Sequence, residues 1–333
     1  MKKTIFILLF SFIFALYFAP DSSAQGTSGA YSLKIPPGAR ANGMGQSNVA
    51  LVGDATSLWW NPAGMSMVEG SVADLMHSQL VPGLASDVFF EYIGGVINLG
   101  GGIAVGAAVQ YLTYGEWQAM SDDPNAPPLG TASSFEFSPV IGGSIRIMDN
   151  LSIGMNFKFV YISLAPEWAT VEGKEGKGHS VAVDMGAIWK VPELDLFGRR
   201  IKRLNLGMCL SNFGPSVSYV DSDQAAPLPR TVRAGFSYAP YLDEVVELRF
   251  VGDIERELII VDVSNIYHVG SEFVYSDLFA VRAGYIYDED GDIKAPTYGL
   301  GFIFNDRIRV DYASVPQSVE LGRVHRWSIG VAF

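Results

Sequence analysis

From about Ser71 to its last residue the chain alternates. In residues 151–160, Leu151, Ile153, Met155, Phe157 and Phe159 are large and apolar, while Ser152, Gly154, Asn156 and Lys158 between them are small or polar. Residues 279–287 repeat the pattern: Phe279, Val281, Ala283, Tyr285 and Tyr287 alternate with Ala280, Arg282 and Gly284. A period of two sends the two sets to opposite faces of a strand. A half-buried strand of a soluble sheet shows the same alternation, so two folds stay open at this point. Two features favour a membrane barrel. The apolar side is continuous over segments of about ten residues, the length a tilted strand needs to cross a bilayer. The opposite side carries Arg, Lys, Asn and Gly, as expected of a lumen.

The strand candidates are 71–79, 86–99, 102–116, 132–148, 150–165, 178–191, 202–213, 229–240, 244–256, 264–275, 278–288, 294–304, 307–314 and 324–333. They predict an all-β fold, a transmembrane antiparallel barrel of about 14 strands, an even number as such barrels require. Short links such as Asp149-Asn150 and Asn305-Asp306 read as periplasmic turns. The longer links 121–130, 166–177, 192–200 and 215–228, carrying Pro and acidic residues, read as surface loops. In the last strand Trp327, Ile329, Val331 and Phe333 alternate with Ser328, Gly330 and Ala332, and the chain stops at Phe333. Such an aromatic end is similar to the signal by which outer-membrane barrels are recognised for insertion, so Trp327, Ile329, Gly330, Val331 and Phe333 are assigned to it. Outer-membrane lipid and the barrel assembly machinery are the partners this implies.

The first residues read as a secretion signal: Lys2 and Lys3, then an apolar run over 5–19, then Ser22-Ser23-Ala24 with small residues placed for cleavage after Ala24. Removing this leader takes the formal net charge from -12 to about -13, a balance that argues against nucleic acid. One cysteine, Cys209, excludes an intramolecular disulfide; alternating with Gly207 and Ser211, it reads as a lumen-facing packing residue. Residues 92–109 are uncharged and near the length of a spanning helix. Gly100-Gly101-Gly102 at their middle reads instead as a turn between two strands. No metal-binding, phosphate-loop or catalytic motif is present, and His77, His179, His268 and His325 are isolated from one another. The reading is no enzyme, no cofactor and no metal. Asp288–Asp292 reads as a solvated turn rather than a calcium loop, because the later glutamate of an EF-hand is missing.

Residues 38–70 do not alternate. They are rich in small residues and suggest three short helical pieces: 41–51 ending at Gly53, 55–60 capped by Asp54, and one opened by Asn61 with Pro62 in the first helical position. An ordinary loop with turns is the alternative. With a closed barrel behind it, this stretch is expected to be a plug: domains 1–24 (signal), 25–70 (hatch) and 71–333 (barrel). Asn61 and Pro62 are then expected inside the barrel, buried and hydrogen-bonded to its wall. Trp59, Trp60, Met65 and Met67 would serve either as packing or as an apolar lining.

These residues carry a resemblance. Ala39-Arg40, Gly43-Met44-Gly45, Val49-Ala50, Asp54-Ala55-Thr56 and Trp60-Asn61-Pro62-Ala63-Gly64, with Glu91-Tyr92, Asp311-Tyr312-Ala313, Leu321-Gly322 and His325-Arg326 further on, resemble the PorV/PorQ family of outer-membrane proteins. The resemblance implies a FadL-like 14-stranded barrel with its lumen occupied by the N-terminal hatch. The hatch residues it singles out are Arg40, Gly43, Met44, Gly45, Asp54, Trp59, Trp60, Asn61, Pro62, Ala63 and Gly64. It also implies a role with the type IX secretion system: binding the signal domains of secreted cargo or serving attachment-complex proteins, with loops 121–130 and 215–228 as contact sites. FadL-like transport of hydrophobic molecules is the alternative role, and a structural outer-membrane protein a third.

Overall fold

The computed structural model describes residues 28–333 except 52, 122–124, 126, 171–172, 197–198, 220–224, 260–262, 306 and 319–320. The expected leader 1–24 lies outside the described residues. After the N-terminal segment come β1 (Ser71–Gln79), β2 (Val88–Gly100), β3 (Ile103–Ala119), β4 (Gly130–Met148), β5 (Leu151–Ala165), β6 (Gly176–Val191), β7 (Leu194–Leu196), β8 (Arg199–Ile201) and β9 (Leu204–Phe213). Then follow β10 (Thr231–Leu242), β11 (Val246–Glu257), β12 (Ile266–Tyr275), β13 (Phe279–Asp288), β14 (Ile293–Phe304), β15 (Ile308–Pro316) and β16 (Arg323–Ala332). All but β7 and β8 form one closed antiparallel barrel in chain order, with β1 paired to β16. Closure leaves no strand edge in lipid, where an unpaired backbone group would be costly. The seam is finished by the Phe333 N–H donating to the Ser71 carbonyl at 2.8 Å.

Each segment expected to be a strand is one, within a few residues at its ends. Residues 92–109 are β2 and β3 around Gly100, Gly101 and Gly102, all at positive φ, a backbone that only glycine adopts readily. No helix among the described residues is long and apolar enough to cross a membrane.

The two faces of the wall sort as the alternation predicts. Ile153, Met155, Phe157 and Phe159 are exposed on the outside, whereas Ser152, Asn156 and Lys158 are buried in the lumen. Lys158 is paired there with Asp184 at 2.8 Å. Near the loop end of the outer face His77, Phe89, Tyr111, Phe135 and Tyr161 form a ladder of ring contacts across β1 to β5, and Tyr312 packs on His325 and Trp327 across the seam. Toward the turn end Tyr275 meets Phe279, with Phe302 and Phe304 exposed beside them. Apolar flank and aromatic girdles together match a lipid-facing surface.

Two links differ from expectation. The link 192–200 is not on the loop end: β6 runs toward the turn end, so its connection to β9 lies with Asp149-Asn150, and it folds into the small β7–β8 hairpin. Its Pro and acidic residues are compatible with either end, and only the parity of antiparallel crossings decides. The link 215–228 is at the loop end, but its described residues on either side of 220–224 fold inward. Val217 and Leu228 are fully buried against Leu33, Val160 and Ile162, and Val217 pairs with Ala226.

Candidate functional site

The lumen is filled by the N-terminal hatch, whose residues 35–68 are buried almost without interruption. It enters at the loop end, where the Tyr31 and Ser32 N–H groups donate to Glu136 at 3.0 and 2.7 Å. It leaves at the turn end through Gly70, whose carbonyl accepts from Asn98 N–H.

The secondary structure is sparser than the sequence suggests. The expected helix 41–51 is a single helical turn, Ala39–Gly43. It stops because Gly45 and Gln46 take positive φ, and because the Asn48 and Val49 N–H groups turn outward to the Asp253 carboxylate at 2.7 and 3.0 Å. Wall groups outbid the helix for these donors. The second piece is Ser57–Trp60, shorter than 55–60. Asp54 accepts the Thr56 N–H at 3.1 Å, but the Ala55 N–H goes to Asp74 on β1 at 2.6 Å. The third piece is a 3-10 helix, Pro62–Met67, with the Asn61 side chain accepting from the Ala63 N–H and Pro62 in its first turn.

Asn61 is also a fixing point. Its side-chain amide lies 2.8 Å from the Val49 carbonyl, 3.1 Å from Ala187 on β6 and 3.2 Å from Met208 on β9. Pro62 and Asn61 press on the wall where only glycine fits. A Cβ on Gly154 would lie 2.3 Å from the Pro62 carbonyl carbon, and one on Gly186 2.0 Å from Asn61 Oδ1. Gly154 and Gly186 are register partners on β5 and β6. A second such notch receives Gly43-Met44-Gly45. Gly270 and Gly284 are partners on β12 and β13, and their Cβ atoms would fall 2.3 Å from the Met44 carbonyl oxygen and 2.1 Å from Gly45 N. Thr297 on β14 completes it, accepting from Gly45 N–H at 2.8 Å and donating to the Gly43 carbonyl at 2.9 Å.

Charge supplies the remaining attachments. Arg40 donates twice to Glu272 on β12, at 2.8 and 2.6 Å. Glu272 also accepts from Arg282 on β13 at 2.8 Å. Arg282 reaches Asp311 at 2.7 Å, Asp311 accepts from Arg309 at 2.6 Å, and Arg309 lies 3.3 Å from both Asp54 of the hatch and Asp74 of β1. Arg40 and Asp54 thus hold the two ends of one continuous ionic chain. Burial alone would lower the Arg40 pKa; the Glu272 carboxylate outweighs it and holds the guanidinium above its ordinary value. Trp59 and Trp60 are packing residues. Their rings meet edge to face at 4.6 Å, the Arg233 guanidinium sits 4.4 Å over Trp59, and the Trp60 ring N–H donates to the Pro37 carbonyl at 3.0 Å. Ala63, Gly64, Met65 and Met67 are likewise buried in the 3-10 segment.

The hatch touches each of the fourteen barrel strands. Beyond the contacts above, it meets Tyr92 on β2, Arg146 on β4, Asn156 on β5 and Arg326 on β16 through hydrogen bonds, and Gly106 on β3 through Leu58 and Met65. Cys209 is buried with Val49 and Ala50, and His268 bonds the Gly45 carbonyl at 2.7 Å. Asp288–Asp292 is a turn in which Asp288 accepts from Gly291 N–H. Among the described residues no group of three or more His, Cys, Asp or Glu is placed to hold a metal.

The last strand divides the residues assigned to assembly. Trp327, Ile329 and Phe333 are exposed on the outer face, whereas Gly330 faces the lumen, where a Cβ would lie 2.7 Å from Asp74 Oδ1. Of the loops expected to contact partners, 121–130 and 215–228 lie partly outside the described residues.

A family profile described as type IX secretion system protein PorV matches residues 20–263. The chain belongs to the PorV family. No curated protein matches it. Among solved structures, this PorV-family barrel is similar to the toluene transporter TodX of P. putida, with TM-score 0.57 and 14% identity over 89% of this chain and 98% of that one. It is similar to the toluene transporter TbuX of Ralstonia pickettii, with TM-score 0.54 and 14% identity over 89% and 98%. A FadL homologue of Pseudomonas aeruginosa gives TM-score 0.53 and 12% identity over 90% and 99%. At such identities the likeness establishes the FadL-like fold. Fold and family together place the PorV-family barrel in the outer membrane.

The sequence singled out the hatch side of these contacts but not the wall side. Glu272, Arg309, Asp253, Gly270 and Gly284 were missed as a set. Each stands at a lumen-facing step of its strand, so a charge or glycine in that phase is the signal that could have found them.

Proposed function

We propose that this protein is a hatch-filled outer-membrane barrel that works by binding protein, as a cargo-binding or shuttling component of the type IX secretion pathway. The observation that supports this is the fit of the hatch: it contacts every wall strand and is joined to the wall by an ionic chain, notched glycines and backbone hydrogen bonds. A lumen occupied in this way favours recognition on the loop end over passage through the barrel. The partners would be the signal domains of secreted cargo and proteins of the attachment complex. The loop-end surface on offer includes exposed Leu84, Met120, Leu129 and Trp168. The chain would reach the membrane after cleavage behind Ala24, with its last strand read by the assembly machinery. The test is deletion followed by an inventory of surface-attached proteins, with pull-down of the detergent-solubilised barrel. Loss of surface attachment and co-purified cargo are expected; an unchanged inventory refutes the role.

Transport of hydrophobic solutes is a second reading, favoured by one observation. The hatch faces β1 to β4 through an apolar cluster that includes Ile35, Leu58, Met65, Met76, Phe90 and Leu112. An uptake assay that shows no loss on deletion removes it.

A further inference from the structure

The lumen wall is two-sided. From β9 round to β16, buried polar side chains meet the hatch directly, and orphan atoms such as Asp253 Oδ1 and Arg326 Nε belong to groups that bond the hatch through another atom. On β1 to β4 the buried wall is mostly apolar; Asp74, Ser134 and Glu136 are polar and hydrogen-bonded, and Ser78, Gln110, Ser138 and Ser144 are the other buried polar residues there. Gln110 and Ser78 are 0% exposed, as is Ser138, and Ser144 is 6% exposed. Among the described residues, none of their side-chain oxygen or nitrogen atoms has a hydrogen-bond partner. Both atoms of the Gln110 amide are in this state. All four side chains point inward, in phase with the buried apolar residues of their strands.

Gln110 and Ser138 are direct register partners on β3 and β4. Their neighbours in the same row are Met76 and Tyr92. Ser32 of the hatch, whose N–H binds Glu136 two residues from Ser138, adds another orphan hydroxyl. Buried polar groups in native proteins are satisfied by protein or by ordered water. A buried water needs about two to four polar partners. Gln110 supplies a donor group and an acceptor, and each serine supplies a hydroxyl that can do either. A fully orphan amide at Gln110 directly opposite an orphan hydroxyl at Ser138, inside a lumen that lipid does not enter, calls for a resident ligand of that chemistry.

We propose that the seam between the hatch and β1–β4 is a water-binding site, with ordered waters held by Gln110 and Ser138 at its centre and by Ser78 and Ser144 toward its ends. Along β1–β4 the hatch is then held through water as well as by its direct bonds to Asp74, Tyr92, Asn98, Glu136 and Arg146.

Hydroxyl radicals formed by radiolysis label side chains beside bound water even when they are buried, and methionine is a good reporter. Met76 (1% exposed) faces the seam, and the Met44 side chain (0% exposed) packs away from it with Leu51 and with Val251 of β11. The folded, full-length barrel in detergent is expected to show prompt oxidation at Met76 and none at Met44. The Gln110→Leu, Ser138→Ala double variant should lose the Met76 labelling without any rise in thermal midpoint; Ser138→Ala alone serves if the double variant does not assemble. Equal protection of Met76 and Met44 overturns the proposal. So does a rise in midpoint, which would mean that the groups were dry. So does an organic molecule retained in native mass spectrometry by the parent and released by the variant, because the seam would then be a solute site.

Discussion

Adding one methyl group at Gly284 tests whether the wall glycines are notches for the hatch. Its Cβ would lie 2.1 Å from Gly45 N and 2.4 Å from the Met44 carbonyl carbon, against about 3.4 Å for ordinary contact. The Gly43–Gly45 turn must withdraw by more than 1 Å, because the opposing atoms are backbone and cannot rotate away. That shift draws the Gly45 N–H off Thr297 and the Gly45 carbonyl off His268, bonds of 2.8 and 2.7 Å. Overpacking costs about 1–3 kcal/mol, and two buried hydrogen bonds add about 1 kcal/mol each. Gly284→Ala should therefore destabilise the barrel by roughly 3–5 kcal/mol. Gly143 on β4 is the control. It points outward, its Cβ would find nothing nearer than the Ala104 carbonyl at 3.7 Å, and Gly143→Ala should be neutral or stabilising by up to about 1 kcal/mol through the unfolded chain. The assay is the midpoint of the heat-dependent mobility shift on a gel, in one detergent, for parent and both variants. A Gly284→Ala midpoint equal to the parent's, or an equal fall for Gly143→Ala, refutes the notch.

Glu272→Gln leaves Arg40 and Arg282 facing a neutral amide and should cost about 3–5 kcal/mol, read as a lower gel-shift midpoint; adding Arg40→Met should recover part of the loss. Asn61→Leu removes a helix cap and the amide that contacts three carbonyls. It should cost at least about 2 kcal/mol and expose sites near residue 61 to limited proteolysis. Deletion of Phe333, which is 78% exposed and donates its N–H to the Ser71 carbonyl, should reduce the yield of assembled barrel while leaving its midpoint nearly unchanged. A proportionate fall in both would make Phe333 a packing residue rather than an assembly signal.

The barrel was legible because lipid and lumen impose opposite demands on alternate residues of every strand. Leu151 to Lys158 states those demands without reference to any distant residue. The hatch was legible only as chemistry at single positions. Asn61-Pro62 announces a cap because its partners are local, and the cap is there. The length of the helix from 41 was misjudged because its end is set by Asp253, some two hundred residues away in sequence, which takes the Asn48 and Val49 N–H groups. The link 192–200 was misassigned for a related reason. Its composition is that of any exposed loop, and its end of the barrel follows from counting crossings, which no local pattern reports.

The same contrast explains what the motif residues are for. Arg40, Gly43, Gly45, Asp54 and Asn61 are spaced irregularly along the chain, and no helical or strand period relates them. Their partners are regular: Glu272 on β12, Gly284 on β13, Thr297 on β14, Asp74 on β1, and the carbonyls of Ala187 on β6 and Met208 on β9. The irregular spacing is what a short chain requires to cross a closed ring of strands and meet partners on several of them. Pairing is also directional. The ionic chain binds the hatch where β12 to β16 and β1 meet it, while β2 to β4 combine apolar contact and unpaired polar groups with separate hydrogen bonds at Tyr92, Asn98, Glu136 and Arg146. The linked ion pairs that hold the hatch are thus concentrated on one arc of the ring, from β12 round to β1.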